Sequence, residues 1–170
     1  MSLRPGHRKR ILEIGAGSGH SAAFFASQGF DVVAVDLAPL NIERCLAKGI
    51  DALVADFADL PFADSAFQGI WSMSCLMHSP DVELPQVLRE MSRVLAPGGA
   101  VTIGMWGGDG TAGILDDGVH DPPRFFALRT DQQVRTMFGA VFSIESLETR
   151  PGGPEDADNE HYQIVTMRNP

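Results

Sequence analysis

Residues 10–39 read RILEIGAGSGHSAAFFASQGFDVVAVDLAP, two short apolar runs joined through a glycine-rich segment. The runs RILEI and DVVAVD have the aliphatic and β-branched composition of buried strands. The segment between them opens with GAGSG and closes at Gly29, and glycine commonly terminates a helix in the left-handed conformation. The stretch therefore predicts a strand, a tight turn, a helix and a second strand, which is one unit of a parallel sheet.

The same alternation continues along the chain. Short apolar runs predict strands over residues 9–14, 31–36, 50–55, 67–74, 99–106, 141–148 and 161–168. Helical periodicity and terminators predict helices over residues 20–28, 39–48, 82–95 and 130–139. The alternation predicts an α/β, doubly wound, mainly parallel sheet with helices on both faces. The last two strands are separated only by a loop, which favours an antiparallel pair.

Two of the predicted helices begin with capping signals. Asp81 precedes the helix at 82–95 and is expected to cap its first turn. Thr130 and Gln133 have the spacing of a capping box at the start of the last helix.

Length and charge limit the classes of function. A chain of 170 residues is expected to form one domain, 1–170. The net charge of −9 gives a surface that repels phosphates, so nucleic acids and anionic membranes are disfavoured as partners. No apolar run approaches the ~20 residues that cross a bilayer, and the N-terminus has no signal-peptide core. Only Cys45 and Cys75 occur, in no metal-like spacing, so we expect reduced thiols in a cytoplasmic protein.

One long segment interrupts the alternation. Residues 107–129 are rich in glycine and carry acids at Asp116, Asp117 and Asp121. The segment is too long for a simple connection, which leaves a functional lid and a disordered loop as alternatives. The acids and the nearby His120 follow no recognised ligand pattern, so no metal site is predicted.

The glycine turn and three acids indicate the kind of ligand. Ligands of such sheets bind at the carboxyl ends of the strands, and Glu13, Asp36 and Asp56 lie at or beside three of those ends. Glycines let a backbone wrap closely around a ligand, and Asp36 is placed to accept hydrogen bonds from a ribose diol. The dinucleotide fingerprint G-x-G-x-x-G needs glycine where His20 stands, and Glu13 would oppose a pyrophosphate. The pattern favours a cationic, phosphate-free nucleoside such as S-adenosylmethionine.

The chain resembles the class I S-adenosylmethionine-dependent methyltransferases, of the small type 11/12 sort. The resemblance covers most of the chain from residue 10 on, through EIGAGSG, VVAVDLAP, ADFADLPFADSAF, FQGIWSMSCLMHSPD, LREMSRVLAPGGAVTIGMW and HYQIVTMR. It implies a seven-stranded Rossmann-like sheet with an antiparallel last strand. It also implies S-adenosylmethionine as the methyl donor and S-adenosylhomocysteine as its product.

The resemblance further implies roles for residues of the first two motifs. Glu13 would interact with the ammonium group of the cofactor, directly or through water. The methionine part of the cofactor would be lined by Gly15, Ala16, Gly17 and Gly19. Asp36 would bind the ribose hydroxyls, and Leu37 would pack on the adenine.

The later motifs supply the other implied site residues. Asp56 would hydrogen-bond the adenine amino group, and Phe57 would offer its backbone or ring to the base. The methionine end, near the reactive methyl, would be contacted by Ser72, Met73 and Ser74. His78 lies where the acceptor would approach, and it is the candidate general base, with a hydrogen-bonding spacer as the alternative.

The sequence departs from the family pattern in three places. Gln68 stands where the fourth strand often has an acid. The frequent Leu-His-His reads Leu76-Met77-His78, so one histidine is lost. Relatives usually have a helical segment before the first motif, which begins here at residue 11. Cover over the cofactor is therefore expected from residues 107–129, from another subunit as in a homodimer, or from neither.

The favoured function is methyl transfer to a small-molecule acceptor, at oxygen, nitrogen or carbon, by in-line displacement. The segment after the fourth strand lacks the N/D-P-P-Y/F pattern of methyltransferases that act on nucleic-acid amines. A non-catalytic binder of S-adenosylmethionine and, less favoured, an NAD-dependent oxidoreductase are the alternatives.

Overall fold

The computed structural model describes residues 9–115, 122–151 and 160–170. Its strands are β1 (Arg10–Ile14), β2 (Asp31–Asp36), β3 (Asp51–Val54), β4 (Phe67–Met73), β5 (Leu95–Gly107), β6 (Ala112–Leu115), β7 (Arg124–Ala127), β8 (Ser143–Pro151) and β9 (His161–Arg168). Its helices are α1 (His20–Ser27), α2 (Pro39–Ala47), α3 (Leu84–Val94) and α4 (Asp131–Gly139), with a 3-10 turn at Leu76–His78.

Seven strands form one sheet in the order β3-β2-β1-β4-β5-β9-β8. The first five of these in chain order, β1 to β5, pair in parallel, whereas β9 runs antiparallel to both β5 and β8. The connections reverse direction between β1 and β4, because the chain first moves outward to β3 and then crosses back. This point of reversal is where ligands of open α/β sheets bind. The predicted fold class is confirmed.

Helices cover both faces of the sheet, because alternate side chains of β2 pack against different helices. Val33 and Val35 belong to the larger buried cluster, which also contains residues of α3 and α4. Val32 and Ala34 point to the opposite face and pack in a smaller cluster with residues of α1 and α2. Strand residues alternate between faces, so a strand buried on both sides reads as a continuous apolar run.

The two predicted caps had different outcomes. The capping box of α4 is confirmed, because Thr130 accepts from the Gln133 amide and Gln133 accepts from the Thr130 amide. The expected cap at Asp81 is wrong, since α3 begins at Leu84 and has no side-chain cap. Asp81 instead pairs with the Nε atom of Arg129 at 2.8 Å. An ion pair between residues so distant in sequence leaves no local signal.

The segment 107–129 contains two strands that the sequence did not predict. β6 and β7 pair antiparallel in a small sheet of their own. Each strand has only four residues, too few for a periodicity to be distinguished. The acids Asp116, Asp117 and Asp121, with His120, lie outside the described residues. The function of this segment as a lid stays a prediction.

Two further findings concern the cysteines and the length of the helices. Cys45 and Cys75 are both free thiols, as expected. In the described part of the chain, each helix is too short or too polar to span a membrane.

Candidate functional site

A cleft of about 520 Å³ opens at the carboxyl ends of β1, β2 and β4. Its walls come from the turn after β1, the start of α2, the segment after β3, and the 3-10 turn after β4. Four separate connections therefore meet at the point where the sheet reverses its winding. The location agrees with the general rule for ligand sites in open α/β sheets.

The glycine turn lies against the sheet with no room for a side chain at its first glycine. Gly15 has a φ of 73°, and its amide donates to the Val35 carbonyl at 2.9 Å. A Cβ atom at this position would lie 2.5 Å from the Sγ atom and 2.6 Å from the Cβ atom of Cys75. Burial raises the pKa of the Cys75 thiol to about 12, so this thiol is a neutral packing group under the loop.

Asp36 connects the glycine turn to the end of β2. Its Oδ2 atom accepts from the Gly17 amide at 2.8 Å, and its Oδ1 atom accepts from the Ala38 amide at 2.9 Å. Each carboxylate oxygen can accept more than one hydrogen bond, so both retain capacity for a ligand. The two hydrogen bonds from backbone amides fix the carboxylate at the wall of the cleft.

Glu13 is a buried acid whose charge is poorly compensated. It is 5% exposed, and its Oε2 atom has no hydrogen-bond partner among the described residues. Burial raises its pKa to about 7, and Asp36 adds a smaller effect in the same direction. The Ala22 amide and the Ser21 side chain partly offset the increase. A buried carboxylate with an unused oxygen is suited to a cationic partner.

Asp56 lies on the exposed segment after β3 rather than in the cleft wall. Its Oδ1 atom accepts from the Ala58 amide at 2.8 Å, while the neighbouring Phe57 lines the cleft. Arg93 of α3 holds the following residues by donating to the carbonyls of Leu60 and Phe62. The segment that carries Asp56 and Phe57 is thus anchored from the helix behind it.

Ser74 follows β4 in a strained backbone conformation. Its φ is 53°, which is uncommon for a residue other than glycine and often marks a functional position. The Ser74 amide donates to the Gly104 carbonyl at 2.7 Å. The hydroxyl of Tyr162 lies 3.1 Å from the Ser74 hydroxyl and 3.7 Å from the sulfur of Met73. These contacts hold Ser74 at the cleft wall.

His78 ends the 3-10 turn and is held by β7. Its Nδ1 atom is 2.9 Å from the carbonyl oxygen of Phe125, and its ring packs edge-on against Phe126 with 4.7 Å between centroids. A carbonyl oxygen only accepts hydrogen bonds, so Nδ1 carries the proton. The neutral ring therefore has its lone pair on Nε2.

Arg129 fastens the turn that carries His78. It is 1% exposed and donates to the carbonyls of Leu76 and Ser79 as well as to Asp81. Burial lowers its pKa, and the adjacent carboxylate of Asp81 partly offsets this effect. Neither Arg129 nor Tyr162 was predicted from the sequence, because their partners are more than forty residues away and no spacing indicates such contacts.

Eight of the thirteen predicted site residues line the cleft, namely Gly15, Gly17, Asp36, Leu37, Phe57, Met73, Ser74 and His78. The other five, which lie outside the set lining the cleft, are Glu13, Ala16, Gly19, Asp56 and Ser72. Ser72 is 0% exposed and alternates with its lining neighbour Met73 along β4. Arg124, Asn41 and Cys75 line the cleft without having been predicted.

Comparison with known proteins identifies the class. A family model described as a methyltransferase domain matches residues 11–99. The chain therefore belongs to this family, the class I S-adenosylmethionine-dependent methyltransferases. Sarcosine/dimethylglycine N-methyltransferase from Halorhodospira halochloris is 39% identical over 108 residues, which cover 58% of this chain and 38% of that protein. The chain thus spans well under half the length of the curated relatives it matches.

Solved structures agree on the fold. An S-adenosylmethionine-dependent methyltransferase from Methanosarcina mazei has a TM-score of 0.81 at 18% identity, with 99% of each chain covered. The 1,6-didemethyltoxoflavin-N1-methyltransferase from Burkholderia thailandensis, with bound 1,6-didemethyltoxoflavin and S-adenosylhomocysteine, has a TM-score of 0.78 at 24% identity. That match covers 96% of this chain and 72% of the other.

Proposed function

We propose that this chain binds S-adenosylmethionine in the cleft and transfers its methyl group to a small-molecule acceptor. One observation carries the proposal: the glycine turn is hydrogen-bonded through Gly17 to the carboxylate of Asp36 at the point where the sheet reverses its winding. That arrangement sets a bare backbone and a fixed carboxylate at one cleft wall.

The residues present fit S-adenosylmethionine on chemical grounds. Asp36 can still accept hydrogen bonds from the ribose hydroxyls, since each of its carboxylate oxygens accepts only one hydrogen bond from a backbone amide. The unused oxygen of Glu13 suits the ammonium group, directly or through water. Gly15 lets the turn pack directly on Cys75, because a Cβ atom there would overlap the Cys75 side chain, and the methionine part would lie along the backbone of this turn. Two acids beside the turn disfavour the pyrophosphate of a dinucleotide.

The remaining site residues would hold the two ends of the ligand. Leu37 is 60% exposed at the cleft wall and would offer an apolar surface to the adenine, and Phe57 lines the same cleft. Asp56 would accept from the adenine amino group with the oxygen that Ala58 does not use. Met73 and Ser74 line the cleft from the carboxyl end of β4, which lies on the other side of β1 from β2, and the methionine part would extend toward them.

The chain contributes position and proton transfer to the reaction. Bound S-adenosylmethionine supplies a methyl group already activated by its sulfonium. The cleft walls align the acceptor with that group and limit access of water, which is the main catalytic task in such a displacement. His78 accepts a proton at Nε2 when the acceptor arrives protonated. The hydrogen bond to the Phe125 carbonyl keeps the ring proton on Nδ1, which leaves the lone pair on Nε2.

A small-molecule acceptor agrees with charge and with the relatives. The net charge of −9 disfavours polyanions such as nucleic acids. Two of the matched proteins are named for small acceptors, sarcosine and dimethylglycine in one name and 1,6-didemethyltoxoflavin in the other.

Calorimetry and an acceptor screen test the proposal. We expect saturable binding of S-adenosylhomocysteine and weak or undetectable binding of NAD. Production of S-adenosylhomocysteine from S-adenosylmethionine over a panel of small acceptors then separates an enzyme from a binding module. Tight NAD binding without a response to S-adenosylhomocysteine would reject the proposal in favour of an oxidoreductase.

The raised pKa of Glu13 predicts a pH dependence of stability. Folding favours the protonated acid, because its pKa rises from 4.5 to about 7 on burial. The contribution of Glu13 to the free energy of unfolding is therefore complete below pH 4.5 and is lost as the pH rises through about 7. Glu13→Gln should remove this dependence, which amounts to about 2–3 kcal/mol between pH 5 and 8. Urea unfolding of both proteins across that range measures it.

Ligand binding should lower the raised pKa of Glu13. An ammonium group beside the carboxylate favours its charged form, so S-adenosylhomocysteine should bind more tightly at pH 8 than at pH 6, by up to about tenfold. Glu13→Gln should show a flatter profile. An unchanged pH profile in the variant would place the ammonium group away from Glu13.

Substitution of His78 should separate turnover from binding. His78→Gln keeps a hydrogen-bond donor toward Phe125 but removes the base, so kcat should fall about tenfold to a hundredfold with an acceptor that must lose a proton. Affinity for S-adenosylhomocysteine should stay within about twofold. Steady-state kinetics with an acceptor from the screen, together with calorimetry, measure both. Equal loss of kcat and cofactor affinity would assign His78 a structural role.

A further inference from the structure

We propose that Arg124 is the anion-binding residue of this cleft and takes a carboxylate at the end lined by Ser74 and His78. The inference rests on the proposed function, because it names the chemistry of a ligand in that same cleft. Arg124 is the one lysine or arginine that lines the cleft within the described residues.

Two contacts fix the strand that carries Arg124. The carbonyl of Phe125 is 2.9 Å from His78 Nδ1, and the ring of Phe126 packs against the His78 ring. Side chains two residues apart in a strand share a face, so Arg124 lies on the same face of β7 as Phe126. That face is directed toward the 3-10 turn and the cleft. Arg124 is therefore held at the His78 end by backbone geometry.

Charge divides the cleft into two ends. Asp36 supplies a carboxylate at the wall formed by β2 and α2, and Arg124 supplies a guanidinium at the wall formed by β7 and the turn. In the part of the chain that the structure describes, Arg93, Arg129 and Arg168 each pair with a carboxylate, whereas Arg124 has no such partner. An arginine facing a cleft without a protein counter-charge is available to a ligand anion.

The chemistry of a guanidinium specifies a carboxylate. Its planar fork donates two parallel hydrogen bonds, which match the two oxygens of a carboxylate. The Ser74 hydroxyl lines the same cleft and offers one further polar group to such a ligand. Two carboxylates can reach this end, that of the amino-acid part of S-adenosylmethionine and that of an acidic acceptor. Both sources share the recognition chemistry, and binding experiments distinguish them.

The first experiment tests the cofactor as the source. Calorimetric titrations of the wild type, Arg124→Gln and Arg124→Lys use S-adenosylhomocysteine and decarboxylated S-adenosylmethionine, which lacks the carboxylate. If the cofactor carboxylate binds Arg124, the glutamine variant should lose about tenfold or more in affinity for the first compound and little for the second. Lysine should restore part of the loss.

The second experiment tests the acceptor as the source. The same proteins, saturated with S-adenosylhomocysteine, are titrated with a panel of small carboxylic acids and their matched primary amides. If the acceptor carboxylate binds Arg124, the glutamine variant should lose about tenfold or more in affinity for the acids alone. Arg89→Gln is the matched control, because Arg89 is exposed on α3 and does not line the cleft. It should resemble the wild type in both experiments.

Every outcome decides the proposal. A selective loss for carboxylates in either experiment supports it and identifies the source. Unchanged affinities in Arg124→Gln, an equal loss for acids and amides, or no acid binding together with unchanged cofactor affinity would overturn it. Failure of the wild type to bind S-adenosylhomocysteine is a different result, since it rejects the proposed function itself.

Discussion

Asp36→Ala should lower the affinity for S-adenosylhomocysteine by between about a hundredfold and ten-thousandfold. Hydrogen bonds to a charged group contribute about 1.5–3 kcal/mol each, and the ribose diol offers two such bonds. The substitution also removes the acceptor for the Gly17 and Ala38 amides, so the glycine turn loses its attachment to β2. Calorimetry gives the change in affinity, and urea unfolding shows whether the fold is retained.

Two companion variants make the test of Asp36 specific. Asp31 begins the same strand at the opposite end and is exposed, so Asp31→Ala should leave binding unchanged. Asp56→Ala should weaken binding less than Asp36→Ala, by about tenfold, because Asp56 is exposed and would contact only the adenine amino group. If neither Asp36→Ala nor Asp56→Ala changes the affinity, the ligand has been placed in the wrong site.

Gly15→Ala should destabilise the fold by about 2–5 kcal/mol. A left-handed backbone costs a residue with a Cβ atom about 1–2 kcal/mol. Overpacking adds about 1–3 kcal/mol, since the new methyl would lie within 2.6 Å of both side-chain atoms of Cys75. The Cβ atom of Cys75 is fixed to its backbone, so rotation of the thiol cannot relieve the contact. Chemical denaturation measures the change in the free energy of unfolding.

Gly49→Ala is the matched control for this substitution. Gly49 has a φ of 75°, close to the 73° of Gly15, and its Cβ position has nothing within 4 Å. The control should therefore lose only the backbone contribution, about 1–2 kcal/mol. Equal losses in the two variants would mean that the contact with Cys75 does not restrict the turn.

The fold was predictable because its signals are local. Strands buried on both faces read as apolar runs, and β1 and β2 are each followed by a helix that ends at a glycine. The positive φ values of Gly29 and Gly49 confirm two of those terminators. The capping box of Thr130 is another local signal that the structure confirms. By contrast, the cap predicted at Asp81 is wrong, because Asp81 pairs with Arg129, 48 residues away, and such a distant partner leaves no signal in the neighbouring sequence.

The candidate site was only partly predictable, for the same reason. The positions of Gly15, Asp36 and Phe57 follow from strand ends, which the sequence marks, and all three line the cleft. Arg124 lies on a four-residue strand whose place depends on contacts with the turn at His78. The strain at Ser74 depends on backbone geometry that no residue type encodes. These features required the three-dimensional structure.

A crystal structure of the chain grown with saturating S-adenosylhomocysteine tests the central proposal most directly. We predict one ligand per chain in the cleft, with both ribose hydroxyls on the carboxylate of Asp36 and the amino group on the side of Glu13. A ligand bound elsewhere, or a ribose that does not contact Asp36, would contradict the account.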